Sequence, residues 1–175
     1  VRLQGLVYRA HNPRWSFAPA SGEGAARYGG RFNPVGVAAL YTSMRMETAW
    51  REAQQGFVFK TQPLTICAYA VDCEDVADLT DAAAREALSV DPDALGCAWE
   101  DVAARGMTPP SWTLARRLIA AGIAAIVVPS FAPGATMGDR NVVFWRWSGT
   151  PPHQVAVIDD EARLPRDDRS WTAPD

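Results

Sequence analysis

The chain has 175 residues, 48% hydrophobic and 21% charged, which is enough for one domain with a real core. A formal charge of -3 argues against a general nucleic-acid binder, which carries a basic face, although an anionic ligand needs only a local pocket of cations. Cys67, Cys73 and Cys97 lack Cys-x-x-Cys spacing and have only His11 and His153 to help them, so no metal site is expected.

In chain order, Leu6 to Ala10 alternates as a strand does, with Leu6, Tyr8 and Ala10 on one face and Val7 and Arg9 on the other. Residues 11–27 read as a loop broken by Pro13, Pro19, Ser21, Gly22 and Gly24. Arg31-Phe32 and Val37 to Thr42 are expected as two strands around Asn33-Pro34-Val35-Gly36, a tetrapeptide suited to a type I turn. Ser43 is a candidate N-cap for a helix whose Met46, Ala49, Trp50 and Ala53 make one buried stripe, with Glu52 on its flank. Such a glutamate can line a cleft beside the core or face water.

Leu64 to Val71 is apolar on both faces and fits a central strand. Asp91-Pro92 offers a cap and first turn for a helix carrying Leu95, Ala98, Trp99 and Val102, ended by Gly106. Ser111 is expected to cap a helix with Trp112, Ala115, Leu118 and Ile119, closed by Gly122. Strands follow at Ile123 to Val128, Asn141 to Trp147 and Val155 to Ile158, the first two separated by a flexible stretch with Gly134 and Gly138. The predicted fold class is α+β, with a mixed, mainly antiparallel sheet in one domain over residues 1–158 and a charged tail over 159–175. The seven tryptophans suit an aromatic core, an aromatic-lined cleft or a partner surface, and their number does not choose.

Gly22-Glu23-Gly24-Ala25-Ala26-Arg27 approaches a dinucleotide fingerprint but ends in Arg and follows a loop, so a Rossmann site is rejected. Between Tyr28 and Glu52 the sequence collects a cation, Arg31, a phenol, Tyr41, and a carboxylate, Glu52. Arg31 is either a surface charge or a guanidinium fork for phosphate, with Gly29 and Gly30 letting backbone approach the ligand. Arg9 is a second cation or an edge-strand charge. Tyr41 is a core aromatic or one wall of a slot for a flat ring. Ser130 has no histidine placed to activate it, which weakens a serine-hydrolase reading.

Together these residues resemble the RES-domain family, toxins of bacterial RES–Xre toxin–antitoxin pairs named for an Arg, a Glu and a Ser. The matching text is Val-Tyr-Arg-Ala at 7–10, Tyr-Gly-Gly-Arg-Phe-Asn-Pro-Val-Gly at 28–36, Leu-Tyr-Thr-Ser at 40–43, Ala-Trp-Arg-Glu at 49–52 and Val-Pro-Ser at 128–130. Phe32 departs from the family's more usual Trp but keeps a ring. The resemblance implies an ADP-ribosyltransferase-like fold that consumes NAD+ without a metal. It implies Glu52 as the catalytic carboxylate, acting with Arg31 and Tyr41. Arg9 and Arg31 would bind the dinucleotide, Tyr41 would pack on nicotinamide or its ribose, and Ser130 would support the site. Phe32, Asn33 and Ser43 belong to the matched blocks and Asn141 opens a late strand; they complete the expected NAD-binding set.

Cleavage of the nicotinamide–ribose bond passes through an oxocarbenium-like state that a carboxylate can stabilise, and nicotinamide departs neutral, so no catalytic histidine is required. The expected activity is ADP-ribose transfer to a cellular protein, with water or phosphate as the alternative acceptor. A nuclease toxin and a silent interaction module are the readings from other classes. The implied partner is an antitoxin with an Xre-like helix-turn-helix domain. With no leader pattern and no apolar run near 18 residues, neither secretion nor membrane insertion is expected, and a reducing cytoplasm is.

Overall fold

The computed structural model describes residues 1–54 and 62–172. Among them, β1 (Leu3–His11), β2 (Leu40–Ser43), β3 (Thr65–Cys73), β4 (Val76–Asp78), β5 (Ala125–Pro129), β6 (Arg140–Phe144) and β7 (His153–Val157) form one 7-stranded sheet. The order is β4-β5-β6-β2-β1-β3-β7, and every neighbouring pair is antiparallel except β4 with β5. The described helices are α1 (Glu23–Tyr28), α2 (Met46–Ala53), α3 (Ala82–Ala87), α4 (Pro92–Leu95), α5 (Trp99–Ala104) and α6 (Pro110–Ala120). The fold is the α+β class that the pattern predicts.

Strand alternation divides the core in two. Along β5, Ala125 and Val127 join Val7, Leu40, Tyr69 and Phe144 on one face, while Ile126 and Val128 join Val143, Leu114 and Leu118 on the other. The second face is covered by α6 and the short helices before it. Over β1 the same face is covered by α2, and the gap between the two covers is where the cleft lies.

Several local expectations are corrected. Residues 23–28 form a helix, α1, where a loop is predicted. Arg31-Phe32 is not a strand: the pair forms the tip of a tight turn, with Gly30 N–H donating to Asn33 O at 2.9 Å and Asn33 N–H to Gly30 O at 3.3 Å. The expected turn moves one residue on, because Val37 N–H bonds Pro34 O while Gly36 N–H bonds Ala26 O. Ser43 is the last residue of β2 rather than a helix cap; Arg45 takes the cap position of α2 with no side-chain bond.

The stripe on α2 also differs. Met46 and Trp50 are 49% and 43% exposed; Ala49 is buried as expected, and Thr48 is buried beside it. Small residues let this helix lie close to β1, so apolar character marks its outer face. Glu52, three and four residues beyond those two, therefore points inward and not along a flank. In β3 only Cys67, Tyr69, Val71 and Cys73 are buried, because the strand lies next to the sheet edge and has one covered face. The expected helix after Asp91 breaks at Gly96-Cys97-Ala98 into α4 and α5. Ser111 lies buried inside α6, whose cap position is Pro109. In the expected tail Leu164 packs against the core, and residues 173–175 lie outside the described residues.

Candidate active site

The turn that carries Arg31 is fixed from both sides by indole N–H groups. Trp112 Nε1 donates to Gly30 O at 2.7 Å, and Trp145 Nε1 donates to Phe32 O at 2.8 Å. A third tryptophan, Trp147, holds Ala20 O at 3.0 Å. Loop carbonyls facing an apolar core need donors, and indoles supply them with large rings that fill space at the same time. Part of the tryptophan excess is thereby explained. Arg31 itself donates to Cys97 O at 2.6 Å, and its guanidinium lies 4.5 Å from the Phe131 ring centroid. Stacking and a single carbonyl leave the planar fork fixed in direction.

Tyr41 braces the same turn from beneath. Its hydroxyl donates to Asn33 Oδ1 at 2.7 Å and accepts from Phe32 N–H at 2.9 Å. Burial pushes the phenol well above its ordinary range, so it stays a neutral donor. Asn33 is fully buried, and its Nδ2 donates to Ala25 O and Val37 O, both at 2.8 Å. The structure thus does not bring Asn33 to the cleft; it locks the turn. Gly30 also has a different purpose from the one expected. A Cβ there would lie 2.6 Å from the Tyr41 oxygen, so the missing side chain makes room for that hydroxyl rather than for a ligand. Gly29, at φ +73°, ends α1.

Glu52 is held by two neutral donors. Its Oε1 accepts from Ser130 Oγ and from Asn141 Nδ2, each at 2.5 Å. Asn141 is oriented in turn, since its Oδ1 accepts from Ser43 Oγ at 2.7 Å, which leaves the amide N–H₂ for the glutamate. The register of the sheet assembles this chain: Tyr8 pairs with Ser43, Ser43 with Asn141, and Asn141 with Val128, two residues before Ser130. One row across four strands is the floor of the site. β1 and β2 share only the Tyr8–Ser43 pair, and the wedge where they diverge opens the cleft.

The cleft has a volume of about 360 Å³, within the range of small-molecule sites. Arg9, Arg31, Phe32, Tyr41, Ser43, Glu52 and Asn141 all line it. Arg9 reaches it with its Nη1 already donating to Pro19 O and Ser21 O, both at 2.9 Å; burial lowers its pKa. Ser130 touches the site through Glu52. Residues not expected at the site from sequence complete the walls: Phe131 beneath Arg31, and Trp99, read as a helix-core residue, with the exposed Glu100 at the rim. Phe131 directly follows Ser130, but Trp99 and Glu100 reach the site only through the break between α4 and α5, which no local pattern announces. Asp139 was missed too, because a buried aspartate before a strand looks like any loop acid.

An arginine, a glutamate and a serine drawn to one cleft of a mixed sheet define the class of this domain. The family model "RES domain" matches residues 6–167, and the chain belongs to that family. Among solved structures, it is similar to the M. tuberculosis MbcT–MbcA toxin–antitoxin complex, with a TM-score of 0.60 and 21% identity over 91% of this chain and 84% of that one. At that identity the likeness is one of fold. No curated protein sequence matches the chain. No described helix is long and apolar enough to cross a membrane.

Proposed function

We propose that this protein is the cytoplasmic toxin of a toxin–antitoxin pair that cleaves NAD+ at the nicotinamide–ribose bond and transfers ADP-ribose to a cellular protein. One observation carries the reading: Glu52, oriented by Ser130 and Asn141, shares a cleft with the fixed guanidinium of Arg31. In this reading Arg31 binds a phosphate oxygen of the dinucleotide, and the rings of Phe32 and Tyr41 bound the slot for nicotinamide. Arg9, with part of its guanidinium committed to loop carbonyls, adds positive charge nearby.

The carbon–nitrogen bond breaks with its electron pair leaving on nicotinamide, which departs neutral. Positive charge grows on the ribose, and the Glu52 carboxylate stabilises it. The acceptor's nucleophilic atom then bonds the anomeric carbon and loses its proton to solvent water. A protein acceptor is supported by the rim, where exposed Glu100 and half-buried Trp99 border an open side of the cleft. An antitoxin partner, expected to carry a helix-turn-helix domain, is supported by the family and by the neighbour solved as a toxin–antitoxin complex.

The test is incubation of the protein with adenine-labelled NAD+ and cell lysate. Label on a protein band is the predicted result. Free ADP-ribose or its phosphate, with no labelled protein, would assign the acceptor to water or phosphate. Intact NAD+ would refute the whole reading.

A further inference from the structure

Asp139, immediately before β6, is 3% exposed and joins two separate parts of the chain. Its Oδ1 accepts from Thr48 Oγ1 of α2 at 2.5 Å. Its Oδ2 accepts from Arg51 of the same helix at 3.1 Å, and from the N–H and hydroxyl of Thr136 at 2.8 and 2.9 Å. Thr48 and Glu52 are one helical turn apart, so both side chains leave α2 on one face. Asp139 lies just before β6 and two residues ahead of Asn141, and both bond side chains of α2. Two parallel rungs therefore connect the same two elements: Thr48 to Asp139, and Glu52 to Asn141.

We infer that Asp139 is a positioning residue, which holds α2 through Thr48 and thereby sets where the Glu52 carboxylate lies. Packing does little to fix the rotation of α2, since Met46 and Trp50 face outward and its buried side chains, Thr48 and Ala49, are small; polar contacts hold it instead, with Arg51 and, at 3.8 Å, Arg45 joining Thr48 on Asp139. The Thr48–Asp139 rung supplies the directional contact that packing does not. Displacing a reacting group by about 1 Å costs on the order of a hundred-fold in rate. The kinetic consequence rests on the proposed NAD+ chemistry, whereas the geometric one does not.

The experiment compares full-length wild type, Thr48→Val, Thr48→Ser and Asp139→Ala. Nicotinamide release gives kcat and KM, and the carboxyl ¹³C resonance of Glu52, assigned with Glu52→Gln, gives its environment without NAD+. Thr48→Val is expected to lower kcat about ten- to a hundred-fold with KM for NAD+ unchanged. The same variant shifts the Glu52 resonance; Thr48→Ser restores both readouts, and Asp139→Ala, which removes the acceptor, behaves as Thr48→Val. A folded Thr48→Val protein with wild-type kcat or an unmoved Glu52 resonance overturns the inference, as does equal loss in Thr48→Ser. If wild type leaves NAD+ intact, the proposed reaction fails and the resonance alone decides the role of Asp139.

Discussion

The Tyr41 hydroxyl occupies the space that a side chain at Gly30 would need, 2.6 Å from where the Cβ would lie. That hydroxyl also bonds Asn33 Oδ1 and Phe32 N–H, so one close contact decides the shape of the turn carrying Arg31. Gly30→Ala is therefore expected to cost about 1–3 kcal/mol of stability, and Tyr41→Phe a similar amount by leaving buried partners unpaired. The double variant should lose less than the sum, because removing the hydroxyl relieves the closest of the methyl's clashes and leaves the one with Asn33 Oδ1 at 2.7 Å. Urea denaturation of the three proteins checks this, and strict additivity would refute the coupling.

The Asn141 amide donates to Glu52 at 2.5 Å, so exchanging it for a second carboxylate sets like charges side by side. Asn141→Asp also removes the donor and is expected to lower kcat/KM on the order of a hundred-fold. Nicotinamide release measured over a range of NAD+ concentrations tests this, and an undiminished kcat/KM in the folded variant would assign Asn141 a packing role only.

Arg31 stacks on Phe131 with its centre 4.5 Å from the ring and bonds the Cys97 carbonyl. Lysine keeps the charge but loses the plane and the fork. Arg31→Lys should weaken NAD+ binding on the order of ten-fold or more, the loss of one charge-assisted hydrogen bond or its equivalent. Calorimetric titration with NAD+ measures it, and unchanged affinity would remove Arg31 from the binding site.

Burial, aided by the Arg9 charge, pushes the His11 imidazole down to about 4. Unfolded histidine titrates near 6.5, so the unfolded state binds the proton first as pH falls. The contribution is full above about pH 6.5 and lost as pH drops toward 4. Asp139 acts at lower pH: bonds from Thr48 and Thr136, with the Arg51 charge, hold its carboxyl far below the usual range. Its contribution is present above about pH 3.9 and lost on further acidification. The melting temperature should decline between pH 7 and 5, less steeply in His11→Gln, with a further drop below pH 4 in both. Identical slopes in the two proteins would contradict the His11 assignment.

Strands β5 and β6 were legible in the sequence from their β-branched and aromatic residues, whereas the three-residue β4 is too short to leave a pattern. Arg31, Tyr41 and Glu52 were legible as residues, but not their means of support. Periodicity put Met46 and Trp50 inside with Ala49, whereas of these three only Ala49 is buried, joined by Thr48, which bonds a distant aspartate. Asn33 and Gly30 read as ligand contacts because polar and glycine residues serve tight turns and ligand loops alike; their partners are Tyr41 and backbone. Asp139 and the indole bonds of Trp112 and Trp145 span dozens of residues, a separation at which local pattern carries no signal.

The central claim, that Glu52 supports departure of nicotinamide, is tested most directly by nicotinamide release from NAD+ with purified wild type and Glu52→Gln. The account predicts steady release by wild type and a loss of about a hundred-fold or more in Glu52→Gln, with its circular dichroism and melting temperature preserved. Undiminished release from the folded variant, or none from folded wild type, would contradict it.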